Sequence, residues 1–472
     1  MAADSFMGTA NYTRSWASIY SIQFPEEIWK MWYQKYGKGF KMLDFLNMTG
    51  RSGASVANRV FYHFEDAAPD KVINTEAAIV VGGAGAAIGP FQIEVGDYVG
   101  DATNGYYPPL RLHDSVLIPG AYQTTGEDRL YVVTAVGGAT NNLTFTCNPL
   151  SLDSRIGVEI PASTELMIGP TYFAAGTGQP SGKAIGTYRR EHSTQISKES
   201  CGFEGGQIAQ RSYKEVTTNS GPGLFDKGLV ETEFRLDSQM DKAIFVGETN
   251  ANAAVLTQVS DWGGTNARLG TKGLWTWQLE LAQTKNYTDT FSMDDFDDVK
   301  PLLQSQGLVD STVLFGYGPT LGLQVENGVL EGMKEWSGGT NLFIDNKFGV
   351  SVKGVQKNGV NFICKEFASF SNPNLLGNPS YNFTTSGFMI PITEVPVRLG
   401  NSSEKITVPN LSLAYYNHNG EDRTRIIGTV AGMNGLGYSI LNDSDGTAIY
   451  MLTEFALFAA NVNQHIQIIR TP

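Results

Sequence analysis

The chain has 472 residues, a net charge of −13, 41% hydrophobic residues and only 17% charged ones. That length suits two or three domains, and the acidic balance excludes a global basic field that would draw nucleic acid. Few charges beside 53 Gly, 20 Tyr and 25 Phe point to a β-rich protein with large interfaces, whose cores favour aromatics over charge. Residues 1–60 run against the balance, with seven Lys or Arg against four acids. This is a small excess that an ordinary solvated helix face also explains. Cys147, Cys201 and Cys364 are odd in number and widely spaced, so they form no disulfide framework, and folding in a reducing cytoplasm is expected. No signal-peptide pattern is present, and no apolar run approaches the roughly 20 residues of a membrane helix.

Residues 1–51 read as an N-terminal arm. Within it, 24–37 carries helix signals: Pro25 at the first position, Glu26 and Glu27 in the first turn, lysines late and Gly37 as a stop. Its aromatic face, with Trp29, Trp32 and Tyr33 nearby, must dock somewhere, on its own body or on a neighbour. Residues 58–65 and 186–197 both alternate with a period of two, and neither has a continuous apolar face. They read as two halves of an extended ribbon over 52–69 and 181–205. A two-stranded ribbon is marginal alone in water, so a neighbouring copy is expected to cover it, with Arg59, His63, Arg189, Arg190 and His192 as contact residues.

Between the halves, 70–180 reads as a small β domain. Strand signals at 91–95, 114–118, 130–135, 143–147 and 165–168 are separated by Gly, Asn and Pro turns, with 137–142 as a hairpin loop. The best long helix is 226–247, with Leu229, Val230, Phe234, Met240, Ala243 and Ile244 at near-helical spacing. Further helices are expected at 274–282, at 292–303 (Ser292 as cap, Pro301 as limit or kink) and at 320–336. Residues 312–315 read as a buried strand. Lys357-Asn358-Gly359 reads as a hairpin turn between 348–352 and 360–364. The C-terminal quarter is strand-rich, ending in 448–458 and 465–469.

Chemical motifs are absent or broken. The histidines His63, His113, His192, His418 and His465 are scattered without metal-ligand spacing. His63 and His192 could face each other across the ribbon, as ordinary ribbon residues also would. The glycines at 82–89 lack the third dinucleotide-loop Gly, since Ile88 holds that place and Pro90 blocks the helix. The segment 264–270 lacks the Gly-Lys-Ser/Thr ending of a P-loop, and 442–446 lacks the late Glu of a calcium loop. Asp294, Asp295, Asp297 and Asp298 sit at a helix start that favours them for electrostatic reasons. The expectation is a protein without enzymatic activity, cofactor or metal.

The order of arm, ribbon with insertion, long helix, mixed body and C-terminal strands resembles the major capsid proteins of tailed bacteriophages with the Hong Kong 97-type fold. Size and insertion are similar to those of crAss-like phages of gut Bacteroides. The resemblance implies an α+β fold with an N-arm, an extended β-loop carrying a small β-barrel-like insertion, and a spine helix at 225–247. It implies a peripheral domain over 206–293 and 425–472 and an axial domain over 294–424. It further implies hexamers and pentamers of this chain in an icosahedral shell around double-stranded DNA, contacted without sequence preference. Portal, scaffold and cement or head-fibre proteins are the implied partners, no membrane is involved, and the location is the virion after assembly in the host cytoplasm. Another virion part (tail sheath, tube or baseplate) and a glycan-binding protein stay open as alternatives. The first would form tubes or rings, and the second would want secretion or a carboxylate pair.

Overall fold

The computed structural model describes residues 41–66, 72–79, 86–101, 105–119, 128–139, 142–151, 159–180, 187–204, 223–250, 257–259, 265–267, 269–308, 312–326, 342–347, 350–357, 359–371, 382–398, 405–431 and 446–471. The arm helix expected at 24–37, the glycines of 82–85, residues 442–445 and the second half of the helix expected at 320–336 lie outside them. The chain divides into two units, 1–61 with 191–472, and 62–190. It is a mixed α+β protein, mostly strands.

The larger unit holds two large sheets, beside the two-stranded pairs Thr257–Val259 with Thr265–Ala267 and Glu394–Arg398 with Lys405–Pro409. The first is built on the 14-residue strand Gly446–Ala459. One of its edges pairs antiparallel with Gln195–Glu204 along nearly its whole length, from Gln195 opposite Phe455 to Glu204 opposite Gly446. Its other edge is shared by Ile426–Ala431 and Leu411–His418, and Ser52–Val56 adds in parallel beyond the latter. Thr447, Ile449, Met451 and Thr453 alternate inward, and helix α2 (Gly223–Val246) covers that face through Leu229 and Leu236.

The buried stripe of α2 is Leu236, Met240, Ala243, Ile244 and Phe245. Val230, expected on it, is exposed, and Phe234 instead lies beneath the Lys41 ammonium. Leu236 and Phe245 take their places because the stripe drifts around the helix as it passes from the sheet to the aromatic core at its C-terminus. There, close backbone approach requires glycine. A Cβ on Gly247 would lie 2.3 Å from the Ala243 carbonyl oxygen, and one on Gly273 would lie 2.6 Å from the Gly247 nitrogen. This junction starts helix α3 (Leu274–Leu281).

The second sheet has seven strands in the order Gln283–Thr288, Ile466–Thr471, Gly387–Pro391, Thr312–Tyr317, Val360–Glu366, Val350–Lys357 and Leu342–Lys347. The strands Val350–Lys357 and Val360–Glu366 pair antiparallel with Lys357 opposite Val360 and Gly359 at φ +83°, while Asn358 of the expected turn lies outside the described residues. Helix α4 (Met293–Ser305) packs Phe296, Val299 and Leu303 onto this sheet. It runs past Pro301, which faces solvent, because burial of Leu303 outweighs the lost hydrogen bond. Asp295 accepts the Ser292 N–H at 2.8 Å, and Lys285 bridges to Asp295 and Asp298, so these acids serve capping and ion pairing.

Strand pairing divides the body differently from the sequence boundaries. Leu411–His418 belongs to the first sheet although it precedes 425, while Gln283–Thr288 and Ile466–Thr471 belong to the second. Helix α1 (Met42–Met48), expected as part of the arm, is core: Met42 and Leu46 are fully buried. Asp241 of α2 fixes it by accepting the Leu43 N–H at 3.2 Å and the Ser369 hydroxyl at 2.5 Å. Burial raises the Asp241 pKa above the usual carboxylate range.

In the smaller unit six strands run in the order Ile73–Asn74, Glu165–Thr171, Asp114–Ile118, Arg129–Ala139, Asn142–Pro149 and Ile88–Gln92. A bridge between Thr75 and Ile93, flanked by Glu94 N–H to Asn74 O and Glu76 N–H to Gln92 O at 2.9 Å each, joins first strand to last. The sheet thus closes on itself, which removes its edges. Val116, Ile118, Val133, Phe145, Cys147 and Leu166 fill the interior, and burial pushes the Cys147 thiol up to about 12. The expected loop at 137–142 is tighter than expected, since pairing persists to Ala139 opposite Asn142.

Candidate assembly ribbon

The strands Val60–Asp66 and Thr187–Ser193 pair as a two-stranded ribbon. Their contacts step in opposite senses along the chain. Thr194 N–H donates to the Arg59 carbonyl at 2.8 Å, Phe61 stacks on His192 with centroids 5.2 Å apart, and Arg190 Nε donates to Glu65 Oε2 at 3.1 Å. The ribbon is therefore antiparallel, and alternation gives it two faces.

One face is a polar network. Glu65 receives Arg190 on one carboxylate oxygen and lies 3.1 Å from His63 Nε2 on the other, while the Arg190 guanidinium lies over Tyr188. The other face is exposed and carries two aromatic rings beside Arg189 and Glu191. Tyr62 and Phe64 project from it, Phe64 at 67% exposure, with the Arg189 guanidinium 4.7 Å above the Tyr62 ring. A cation over an aromatic holds the ring in place without covering its far side.

The root of the ribbon is built differently. His192 is 1% exposed, packed among Phe61, Trp277 and Phe458 with centroids at 5.2 Å, and its Nδ1–H donates to the Leu457 carbonyl at 3.2 Å. It therefore faces Phe61 rather than His63, and it is withdrawn from the expected surface contacts because its ring completes this aromatic cage. Beside it, Glu454 is fully buried. Its Oε1 accepts Arg59 Nε at 2.8 Å and the Thr194 hydroxyl at 3.0 Å, and its Oε2 accepts Arg423 Nη1 at 2.9 Å. Tyr416 lies under both guanidiniums, 5.4 Å from Arg59 Cζ and 5.9 Å from Arg423 Cζ. A buried carboxylate is tolerated when charge and lone pairs are met in this way.

Of the expected contact residues, His63, Arg189 and Arg190 sit on the ribbon, Arg59 is half-exposed at its root, and Trp29, Trp32 and Tyr33 lie outside the described residues. Tyr62 and Phe64 escaped the sequence reading although their alternation marks one face. Glu454 escaped it too, although it is the sole charge in the apolar run 449–460. The slight basic excess of residues 1–60 is partly consumed inside the chain. Lys41 and Arg51 are buried, Arg51 donates to Asn410 Oδ1 at 2.8 Å, and Arg59 is held by Glu454. Among the described residues no cluster of His, Cys, Asp or Glu could hold a metal ion, and no helix is long and apolar enough to cross a membrane.

No protein-family model and no curated protein sequence matches the chain. Several solved structures are similar to it. A structure of Mycobacterium phage Adephagia aligns at 10% identity and TM-score 0.39, covering 96% of this chain and 97% of that one. The capsid structure of the cyanophage P-SCSP1u aligns at 10% identity and TM-score 0.33, covering 64% and 80%. An encapsulin complex from Synechococcus elongatus PCC 7942 aligns at 12% identity and TM-score 0.34, covering 60% and 77%. Likenesses of this strength do not establish a shared fold.

Proposed function

We propose that the chain is a major capsid protein of a tailed phage, with the crAss-like branch as the finer assignment. Copies associate as hexamers and pentamers and close into an icosahedral shell around double-stranded DNA. The observation that carries this reading is the ribbon: two strands with a firm root, a satisfied polar face and an aromatic face left open. Such an element has little reason to exist in a monomer, because an isolated two-stranded sheet is marginal and exposed aromatics mark interaction sites. The element order also supports it, with the first ribbon strand, the barrel strands, the second ribbon strand, the long helix and the remaining strands following in sequence. In this reading the extended loop runs over 52–69 and 181–205, the barrel at 70–180 is its insertion, and α2 is the spine. Shells form from many weak heterologous contacts closing under symmetry, and His63, Arg189 and Arg190 supply ribbon contacts to a neighbour. Portal, scaffold and cement or head-fibre proteins are the further partners, assembly takes place in the host cytoplasm, and the product is the virion.

The test is negative-stain electron microscopy, with light scattering, on the full chain expressed alone and with the other structural proteins of its virion. Rings of five or six and round shells are expected. Tubes would transfer the chain to a tail component, and a monodisperse monomer under both conditions would overturn the reading.

A further inference from the structure

One hairpin of the first sheet ends in an asparagine–glycine pair braced by a neighbouring side chain. Strands Leu411–His418 and Glu421–Asp422 pair antiparallel, with His418 opposite Glu421 and Asn417 opposite Asp422. The two residues between them, Asn419 and Gly420, stand at φ +55° and +91°. A two-residue loop with both φ positive is a type I′ turn, whose twist suits the flanking strands and which asparagine and glycine enter at little cost. Asn417 braces it. Its Oδ1 accepts the Gly420 N–H at 2.9 Å, and its Nδ2 donates to Asp422 Oδ1 at 2.8 Å. The same Asp422 oxygen accepts the Ser55 hydroxyl at 2.7 Å, which ties the tip to strand Ser52–Val56.

This geometry bears on a reaction open to asparagine followed by glycine. The glycine nitrogen, once it has given its proton to a base in solution, can attack Cγ of the asparagine side chain. The new N–Cγ bond closes a five-membered succinimide, and Nδ2 leaves as ammonia. Water then opens one of the two ring carbonyls, to aspartate or to isoaspartate. The sum is asparagine and water giving a carboxylate residue and ammonia, with no oxidant or reductant. Gly420 puts no side chain in the path of attack, and Asn419 and Gly420 are both exposed to water. Among the described residues the Asn419 amide meets only His418 Nε2, at 3.5 Å.

We propose that Asn419 is a latent deamidation site and that Asn417 guards it. Attack requires the Gly420 nitrogen to lose its proton and to turn towards Cγ of Asn419. Its N–H is held by Asn417 Oδ1, so deprotonation also costs that hydrogen bond. The paired strands on either side fix the backbone dihedrals that would have to rotate. The reaction would undo the tip. A carboxylate at 419 would join Glu421 and Asp422 in one short turn, and an isoaspartate would insert a backbone atom that a two-residue loop has no room for. The link from Asp422 to Ser55 depends on that turn.

The experiment uses the full chain, incubated in mildly alkaline buffer with and without urea, and follows deamidation by peptide mapping and mass spectrometry. Mapping separates Asn419 from the other four asparagine–glycine pairs, at Asn104, Asn327, Asn358 and Asn434. Asn419 should convert more slowly in the native chain than in urea. Asn417→Ala should speed the native reaction about two- to tenfold, the range that one net hydrogen bond allows, and leave the rate in urea unchanged. Asn417→Asp keeps an acceptor for the Gly420 N–H and should restore the slow rate, although it gives up the bond to Asp422. Equal rates with and without urea, or a native Asn417→Ala rate no faster than that of wild type, would overturn the proposal. A rise in Asn417→Asp equal to that in Asn417→Ala would overturn it as well, since the protection would then lie in the Asp422 bond or in the fold at large.

Discussion

Glu454→Ala tests whether the ribbon's root is held by a buried carboxylate. The substitution removes the acceptor for Arg59 Nε, Arg423 Nη1 and the Thr194 hydroxyl, all within 3.0 Å. Breaking a buried ion pair costs about 3–5 kcal/mol, because the remaining partner is left uncompensated. Arg59 is half-exposed and rehydrates readily, so the loss falls on Arg423 and Thr194, and the lower end of the range, about 3 kcal/mol, is expected. At about 2.1 cal/mol/K per residue over a unit of about 340 residues, this lowers Tm by about 4 °C. Calorimetry of the unassembled subunit measures the shift. Hydrogen exchange should show faster opening at 59–66 and 187–193 than elsewhere. The double substitution with Arg423→Ala should be less than additive by about 1–3 kcal/mol, since both remove one interaction. A change under 0.5 kcal/mol with unaltered ribbon exchange would refute the reasoning.

At the junction of α2 and α3, Gly247→Ala and Gly273→Ala each force a methyl into backbone atoms at 2.3–2.6 Å. Each should cost at least about 1–3 kcal/mol in denaturant unfolding. Asp241 carries a raised pKa, so the folded state keeps its proton to higher pH than the unfolded chain does. Its contribution is present in acid and is lost as pH rises from the ordinary carboxylate range through the raised value. Asp241→Asn should flatten that part of a stability–pH profile, and an unchanged slope would contradict it. Phe145→Ala in the barrel core should cost about 3–5 kcal/mol, read as a lowered calorimetric transition. Removing residues 1–40 should abolish closed shells and leave a folded subunit. Removing 1–50 should also unfold the body, because it deletes the buried α1; shells of normal yield from the shorter deletion would exclude a role for the arm.

What the sequence disclosed followed from local signals. The antiparallel pairing that brackets Gly359, the Ser292 helix start and the alternation at 58–65 each follow from signals within a few residues. Partnership over long separations was hidden. Strand Leu411–His418 looks the same whether it pairs with Gly446–Ala459 or with a strand of the other sheet, and only packing of the whole core decides. Pro301 marks a local cost, and the burial of Phe296, Val299 and Leu303 that offsets it is a tertiary effect. Arg59 and His192 look alike from the sequence, as polar residues on alternating strands. One is half in water and the other is sealed in an aromatic cage, because Trp277 and Phe458 arrive from segments 85 and 266 residues downstream of His192.

The two ends of that contrast explain why the ribbon suits docking. Association costs the freedom of every group it orders, so a strand pair that flexed at its root would lose affinity to entropy. His192 in its cage and Glu454 between two arginines fix the root before any partner arrives. Further out, Glu65 binds Arg190 across the strands, which keeps the register without using the opposite face. Tyr62 and Phe64 lie on that opposite face, with the Arg189 guanidinium over the Tyr62 ring. If this is right, Glu65→Gln should weaken assembly by loosening the register while leaving the subunit's melting temperature nearly unchanged. An equal loss from Glu65→Gln and from Tyr62→Ala in shell yield, with only the former accelerating exchange across 60–66, would separate preorganisation from direct contact. Unaltered exchange in Glu65→Gln would show that the polar face plays no part in holding the aromatic one.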